Sequence, residues 1–158
     1  MSHPATNRAA DHRRQRQQSL APGESAGFLL WRVTLRWQRT MVAALRPLGL
    51  THVQFVLLAS LWWLTNVAEE QPSQRRLAEH AATDPMMTSQ VLRTLEARGF
   101  VVRVADSADS RALRVGVTQS GARLALEAIR VVEAADAEFF ATAKDTQSML
   151  RIFRRLAG

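Results

Sequence analysis

The order of elements between residues 84 and 118 constrains the fold of this chain more than any other feature of its sequence. Asp84 followed by Pro85 is typical of a helix start, because aspartate caps the first turn and proline suits the first helical position. Gly99 is typical of a helix stop. The segments FVVRV and LRVGV then alternate as strands do, and the charged segment ADSADSRA separates them. The sequence therefore predicts a helix, a glycine stop and a β-hairpin.

A second short helix is predicted just before this one, in the segment QRRLAEHAA. Pro72 and Ser73 signal its start, and Leu77 and Ala81 are expected to face inward. Two short helices followed by a basic hairpin form a winged helix-turn-helix, an arrangement that lies on duplex DNA.

Two further helices are predicted before this unit. Residues 28–45 repeat apolar positions at helical spacing, with arginines on the opposite face, and Pro47 and Gly49 end the pattern. The segment THVQ is a capping box in which Thr51 and Gln54 cap each other's backbone. It opens a segment that is apolar almost all round, FVLLASLWWLTNVAEE, which we expect to be the central buried helix.

Two helices are predicted after the hairpin. Thr118 caps the first, over residues 119–141, and Asp145 caps the second, whose apolar stripe lies opposite a row of arginines. The apolar stripes of the terminal helices exceed what one small lobe can cover, so a second copy of the chain is the simplest partner. The expected fold is mainly α-helical, with a small β-hairpin wing on a winged helix-turn-helix lobe and long N- and C-terminal dimerisation helices.

The chain of 158 residues has room for one such domain. Residues 1–22 are rich in Arg, Gln, Ser and Ala, and we expect them to form a disordered basic arm, either passive or tracking along DNA. Residues 23–158 form the expected domain, with a DNA-binding lobe at 51–117 and dimerisation helices at 25–46 and 119–157.

The charge of the chain favours a polyanionic partner. The 21 lysines and arginines outnumber the 14 aspartates and glutamates, which gives a formal net charge of +7, and Lys144 is the only lysine. Arginine suits the recognition of phosphate and guanine, although a GC-rich genome would bias the composition in the same way.

Composition also excludes several classes of site. The chain has no cysteine, which rules out disulfides, thiolate metal sites and peroxide sensing by a thiol. Its 4 histidines lack metal-ligand spacing, and the sequence shows neither a Ser/His/Asp set nor a glycine-rich phosphate loop, so we expect no metal, no cofactor and no enzymatic activity. No apolar run approaches the roughly 18 residues that span a bilayer, and the N-terminus lacks the pattern of a signal peptide. We therefore expect a cytoplasmic protein without a membrane partner.

The polar face of the second short helix is the strongest candidate site. Helical spacing places Thr88, Val91, Leu92 and Leu95 on one face, which is expected to point inward. The side chains on the other face are Met86, Ser89, Gln90 and Arg93. A solvated helix surface would more often carry Glu and Lys pairs, whereas these side chains read base edges and thymine methyl groups in the major groove. An ordinary exposed face is the alternative interpretation.

Three segments taken together resemble the multiple-antibiotic-resistance-regulator (MarR) family of bacterial transcription factors. They are LTHVQFVLL, LAEHAATDPMMTSQVLRTLEARGFV and RVADSADSRALRVGVTQSG. The third segment resembles the family pattern of an Asp and an Arg separated by one residue, here Asp109 and Arg111, followed by a Thr-x-x-Gly helix start at Thr118 and Gly121. The resemblance covers about residues 25–157.

The resemblance implies a homodimer whose terminal helices interlock and whose two winged lobes reach a pseudo-palindromic site on double-stranded DNA. It also implies that residues 85–98 form the recognition helix, that residues 101–117 form the wing, and that Arg111 enters the minor groove. The complete set of candidate DNA contacts is Arg75, Met86, Thr88, Ser89, Gln90, Arg93, Asp109, Arg111 and Arg114.

Two positions depart from the commonest pattern of the family. Ser110 stands where many members have an arginine, which puts the strength of the wing contact in question. Gln90 also stands where many members have an arginine, and glutamine favours adenine where arginine favours guanine.

Members of this family often release DNA when a small aromatic or anionic effector binds between the dimer helices and the winged lobe. Trp31, Trp37 and His52 are the candidate residues for such a site, and packing in the core and the dimer is the alternative role of the tryptophans. The expected function is therefore that of a sequence-specific regulator, a repressor of a neighbouring operon. The alternative is an architectural protein that binds DNA without sequence choice and without a ligand response.

Overall fold

The computed structural model describes Gly23 and residues 25–105, 113–143 and 145–158. The chain divides into two compact units, Met1–Arg39 and Thr40–Gly158. The predicted basic arm, residues 1–22, lies outside the described residues.

The described residues form α-helices and one two-stranded antiparallel sheet. The helices are α1 (Ala26–Leu45), α2 (His52–Asn66), α3 (Gln74–His80), α4 (Pro85–Ala97), α5 (Gln119–Phe140) and α6 (Thr146–Ala157), and the strands are β1 (Val101–Ala105) and β2 (Leu113–Val117). This order confirms the predicted helical fold with a β-hairpin wing.

The residues that follow α1 determine where that helix ends. A 3-10 turn, Arg46–Leu48, contains Pro47, which cannot continue the α-helical hydrogen bonds. Gly49 then adopts a φ of 63°, in the left-handed region that glycine enters without the strain of a side chain. The predicted stop is confirmed, and residues 46–51 are called the connector below.

The capping box predicted at the start of α2 is present. The Thr51 hydroxyl accepts a hydrogen bond from the Gln54 backbone N–H at 3.3 Å, and the Gln54 side-chain oxygen accepts one from the Thr51 N–H at 3.0 Å. The residues that α2 buries are Leu57, Leu58, Leu61 and Leu64. The helix is not buried all round, because Trp63 is 43% exposed. The Trp63 ring stacks on the ring of His80 on α3, with centroids 5.2 Å apart.

The helix-turn-helix begins at the predicted cap. The Ser73 hydroxyl accepts a hydrogen bond from the Arg76 backbone N–H at 3.1 Å, which satisfies a free N–H in the first turn of α3. Leu77 and Ala78 are the residues that α3 buries. Ala81, which was expected to face inward, is only half-buried, because α3 ends at His80 and Ala81 caps it.

The two strands form the base of the wing. Val101 pairs with Val117 and Ala105 pairs with Leu113, and Val101 is buried. The base is also joined to the segment before α3, because Val115 donates its N–H to the Pro72 carbonyl at 2.9 Å. The tip of the predicted wing, residues 106–112, lies outside the described residues.

Helix α5 starts in direct contact with the backbone that leads from α4 into β1. The Thr118 hydroxyl accepts a hydrogen bond from the Gly121 N–H at 3.0 Å and so caps the helix, as predicted. Gly121 is buried, and a Cβ atom at this position would lie 2.0 Å from the Phe100 carbonyl oxygen. Further along, α5 packs on α2, and the small side chains of Ala125 and Ala128 in α5 are buried.

The terminal helices carry exposed apolar side chains. In the part of the chain that the structure describes, α6 buries none of its residues, and Ile152, Phe153 and Leu156 are exposed. The first turns of α1 expose Phe28 and Trp31 in the same way. These surfaces have the amphipathic character that the sequence predicts.

None of the described helices is by itself long and apolar enough to cross a membrane.

The close approach at Gly121 predicts a large effect of one added methyl group. Gly121→Ala should lower the free energy of unfolding by about 3 kcal/mol, because the atom that the methyl group would meet belongs to backbone and cannot rotate away. Urea denaturation at fixed protein concentration measures this difference.

Gly27→Ala is the matched control. A Cβ atom at Gly27 in α1 would meet nothing within 4 Å, so this variant should be neutral or more stable by up to about 1 kcal/mol. Equal stabilities for the two variants would contradict the close packing of α5 on Phe100.

Candidate DNA interface

The start of α4 is fixed by its cap. The Asp84 carboxylate accepts hydrogen bonds from the backbone N–H groups of Met86 and Met87, each at 2.9 Å, and Pro85 occupies the first turn. A carboxylate is favourable here because the N-terminal end of a helix carries partial positive charge. Leu92 and Leu95 are fully buried on the inner side of the helix. The cap and these leucines together determine which face of α4 is exposed.

The exposed face of α4 carries the side chains that the sequence predicts. Met86 is 81% exposed, Gln90 and Arg93 are exposed, and Ser89 is half-buried. The Arg93 guanidinium folds back over Ser89, with its Nη2 3.4 Å from the Ser89 hydroxyl. At that length the hydrogen bond is weak, so the guanidinium can exchange it for a stronger acceptor such as a base edge.

Thr88 does not belong to this face, and its place among the candidate DNA contacts is a wrong prediction. Its side chain is completely buried, and its hydroxyl lies 2.8 Å from the Thr83 hydroxyl and donates to the Asp84 carbonyl at 2.8 Å. A buried hydroxyl with both partners inside the protein cannot reach a base. Thr88 instead holds the turn between α3 and α4.

Arg75 lies exposed on α3 and pairs with Glu79 one turn later. Nε of Arg75 donates to a carboxylate oxygen of Glu79 at 2.8 Å, and this hydrogen bond raises the pKa of Arg75. The side chains are 87% and 57% exposed, so water screens this ion pair strongly and it adds little to stability. A DNA phosphate can therefore compete with Glu79 for this guanidinium.

Arg114 lies at the base of the wing. It is half-buried, its guanidinium donates to the Gln71 carbonyl, and its backbone forms a bridge with Ser73. These contacts anchor β2 to the segment before α3. The other two predicted wing contacts, Asp109 and Arg111, lie outside the described residues.

An ion pair joins the wing to α4. Nε and Nη2 of Arg103 in β1 lie 2.9 and 2.5 Å from one carboxylate oxygen of Glu96, and the Arg103 backbone N–H donates to the other oxygen at 3.3 Å. The hydrogen bond from Arg103 lowers the pKa of Glu96. The pair ties the first strand of the wing to the last turns of α4.

The Glu96–Arg103 ion pair was not predicted from the sequence, although the sequence contains an indication of it. Glu96 and Arg103 have opposite charge and flank the glycine stop at Gly99, one near the end of the helix and one in the strand that returns along it. A second pair, Arg76 with Glu70, ties α3 to the segment before it by two hydrogen bonds of 3.0 Å.

The three candidate ligand residues lie on α1 and α2. Trp31 is 60% exposed and Trp37 is half-buried. His52 is half-buried at the start of α2 and stacks on Phe55, with ring centroids 6.4 Å apart. Burial lowers the pKa of His52, and the negative charge of Asp136 opposes this shift. That the three side chains share one crevice stays a prediction.

Comparison with known proteins gives one family model and several relatives. The model of the MarR family matches residues 50–113, the region that holds α2, α3, α4 and the first strand of the wing. The HTH-type transcriptional regulator YdcH of Bacillus subtilis is 40% identical over 129 residues, which cover 82% of this chain and 87% of YdcH. The HTH-type transcriptional repressor Rv2887 of Mycobacterium tuberculosis is 38% identical over 143 residues, which cover 88% of this chain and 98% of the repressor.

Solved structures show the same similarity. Rv2887 in complex with salicylic acid is 38% identical, with a TM-score of 0.58, and covers 84% of this chain and 93% of its own. CouR from Rhodococcus jostii RHA1, bound to p-coumaroyl-CoA, is 27% identical with a TM-score of 0.71 and covers 87% of this chain and 92% of its own.

The Glu96–Arg103 pair predicts a pH-dependent loss of stability. Because the pKa of Glu96 is lower in the folded chain, the pair stabilises the fold above the unfolded value of about 4.3 and is lost as pH falls through the folded pKa. Glu96→Gln should therefore lower the free energy of unfolding by about 1 kcal/mol or less near pH 7, since the carboxylate is 36% exposed and partly screened. Urea denaturation across a pH series measures the difference, which should vanish once the pH has fallen through the lowered pKa of Glu96.

Glu127→Gln removes an exposed carboxylate of α5 and is the matched control. It should change the unfolding free energy little at any pH in the series. If Glu96→Gln matched the natural chain near pH 7, or if its deficit persisted in acid, the pair would not hold the wing.

Proposed function

The chain belongs to the MarR family of DNA-binding transcriptional regulators, and from that premise we propose that it acts as a dimer on a pseudo-palindromic DNA site. In this proposal the exposed face of α4 reads base edges in the major groove and the wing contacts the minor groove beside it. The regulated target is a neighbouring operon, which the protein represses.

The observation that carries the proposal is the chemistry of the α4 face. Met86, Gln90 and Arg93 are exposed there, and none of the three is acidic. A methionine at 81% exposure is costly in water and gains by contact with a thymine methyl group. Gln90 and Arg93 supply donors in the geometry that adenine and guanine accept. The face suits a duplex better than it suits solvent.

The exposed apolar surface of the terminal helices supports the dimer. Phe28 and Trp31 on α1 and Phe153 and Leu156 on α6 expose between 41% and 76% of their surface within a single chain. Exposed apolar side chains concentrated on two helices mark a protein–protein interface. A dimer with two-fold symmetry would cover both surfaces and would present two copies of α4 to two half-sites.

The exchange of DNA for a small aromatic acid is the regulatory part of the proposal. Rv2887, the M. tuberculosis relative, has been solved with salicylic acid and with p-aminosalicylic acid. Trp31, Trp37 and His52 supply flat apolar surfaces and an imidazole, which suit an aromatic carboxylate. A bound acid would release DNA by favouring a dimer in which the two lobes no longer match the half-sites.

The contrast between α4 and the wing tests the mode of DNA binding. On the best duplex selected from a random pool, Gln90→Ala or Arg93→Ala should cost about 1–3 kcal/mol and relax the preference at particular base pairs. Affinity for a scrambled duplex should change less.

Arg111→Ala should weaken binding to many sequences and make the salt dependence shallower by about one unit of slope, because a charge contact to the DNA is lost. Fluorescence anisotropy at several salt concentrations gives all of these quantities.

Asp109→Ala is the matched control for the wing. If Arg111 only stiffened the hairpin by pairing with Asp109, then Asp109→Ala would reproduce its loss of affinity while both salt slopes stayed at the natural value. Equal affinity of the natural protein for the selected and scrambled duplexes would favour the architectural alternative.

Salicylate tests the effector. It should change tryptophan fluorescence and lower DNA affinity, and Trp31→Phe or Trp37→Phe should reduce the fluorescence response. Cyclohexanecarboxylate, which has the charge without the aromatic ring, is the control ligand and should have a much weaker effect. Millimolar salicylate that altered neither fluorescence nor DNA binding would remove this part of the proposal.

A further inference from the structure

Three consecutive residues, Arg98, Gly99 and Phe100, connect the end of α4 to the start of β1, and we call them the junction. Arg98 caps α4, and Gly99 turns the chain with a φ of 73°. The junction is the place where the recognition helix gives way to the wing. It also meets two other parts of the unit Thr40–Gly158, the connector after α1 and the first turn of α5.

The contact with the connector is made by the side chain of Arg98. Its Nη1 donates to the Gly49 carbonyl at 2.9 Å, across 49 residues of sequence. The guanidinium also lies over the ring of Phe100, with Cζ 4.9 Å from the ring centroid. The ring restricts the guanidinium on one side and the carbonyl binds it at the edge, so this arginine has a defined position although it is exposed.

The connector is shaped to receive this contact. Gly49 has no side chain, and a Cβ atom in its place would lie 3.3 Å from Nη2 of Arg98. Its left-handed φ of 63° belongs to the turn that ends α1 and leads into α2. Glycine at this position therefore serves both the turn and the approach of the guanidinium.

The contact with α5 is made through the backbone of the junction. The Thr118 and Ser120 hydroxyls lie 2.8 and 3.0 Å from the Gly99 carbonyl, and Thr118 donates its backbone N–H to the Phe100 carbonyl at 3.0 Å. Gly121 packs against the same Phe100 carbonyl. The junction is thus held by the first turn of α5 on one side and by the connector on the other.

We propose that Arg98 is a positioning residue for DNA recognition, which fixes the C-terminal end of α4 to the connector through the Gly49 carbonyl. The proposal rests on the function proposed above, in which α1 and α5 belong to the dimer and α4 reads DNA. A shift of the connector relative to the lobe moves Gly49, and Arg98 transmits that shift to the end of α4. Arg98 therefore affects how well α4 fits its site without contacting the DNA itself.

A direct contact between Arg98 and a DNA phosphate is the competing role, and the two roles predict different data. A phosphate contact contributes to every sequence and adds about one unit to the salt slope. A positioning contact contributes to the selected site alone, because only base readout needs an accurately placed helix. The ratio of specific to nonspecific affinity therefore separates them.

The experiment measures DNA affinity for Arg98→Gln, Gly49→Ala and the double variant, each on the selected duplex and on a scrambled duplex of equal length. Arg98→Gln should weaken binding to the selected duplex about tenfold, which is comparable with the loss of one base contact. Affinity for the scrambled duplex should stay within about twofold of the natural value. The slope of the salt dependence should change by no more than a few tenths of a unit. Arg130→Gln, which removes one exposed charge from α5, is the matched control and should leave the affinity ratio unchanged.

The double variant tests whether the two residues act through one contact. Gly49→Ala should also weaken binding to the selected duplex, and adding it to Arg98→Gln should cost little more, because the contact is already lost. The fraction of each protein that binds DNA, measured by titration with saturating duplex, corrects for any loss of folded protein. Additive losses on the selected duplex, or a loss shared by both duplexes with a shallower salt slope, would overturn the proposal.

The outcome also separates this proposal from the function on which it rests. If the natural protein failed to prefer any duplex, the proposed function itself would fail. If the natural protein showed a preference that Arg98→Gln left intact, the function would stand and the positioning role would be wrong.

Discussion

The first turn of α5 rests on the backbone of Phe100, and every element of the candidate DNA interface depends on that contact. Gly121 allows it, since a single methyl group there would reach to 2.0 Å from the Phe100 carbonyl. Thr118 caps α5 and donates to the same carbonyl, so the helix start and its packing are fixed by one residue. The end of α4 and the beginning of the wing are therefore held by α5, a helix that we propose belongs to the dimer interface.

Polar contacts then determine the orientation of the reading elements on this base. Asp84 and Thr88 fix the start of α4, and Glu96 ties its last turns to Arg103 in the wing. Each of these groups is paired within the protein. Gln90, by contrast, is exposed on the outer face of α4. Side chains that read bases need a rigid support and must themselves be accessible, and this arrangement of paired supporting groups beneath an exposed face meets both needs.

Much of the fold was predictable because its signals are local. Caps at Thr51, Ser73, Asp84 and Thr118 mark helix starts by hydrogen bonds within a few residues, and all four are present. The exposed face of α4 followed from helical periodicity in the same way. Thr88 shows where a prediction failed, because it was expected to contact DNA although periodicity places it on the inward face, and in the structure it is completely buried.

The contacts that helical periodicity could not predict join residues far apart in sequence. Arg98 meets the Gly49 carbonyl only because the fold brings the junction to the connector, and no local pattern marks an arginine as a donor to a distant backbone oxygen. The ion pair between Glu96 and Arg103 was easier to predict, because the two residues flank one turn and carry opposite charge. The wing tip with Arg111 lies outside the described residues, so its role rests on the sequence resemblance.

Hydroxyl-radical footprinting of the protein on its selected duplex, combined with the mass of the complex, tests the central claim most directly. A dimer that places two copies of α4 in the major groove should protect two symmetric regions whose centres are about one helical turn, or a small multiple of it, apart. The mass should correspond to two chains on each duplex. One protected region with one chain bound, or uniform protection that extends with protein concentration, would contradict the account.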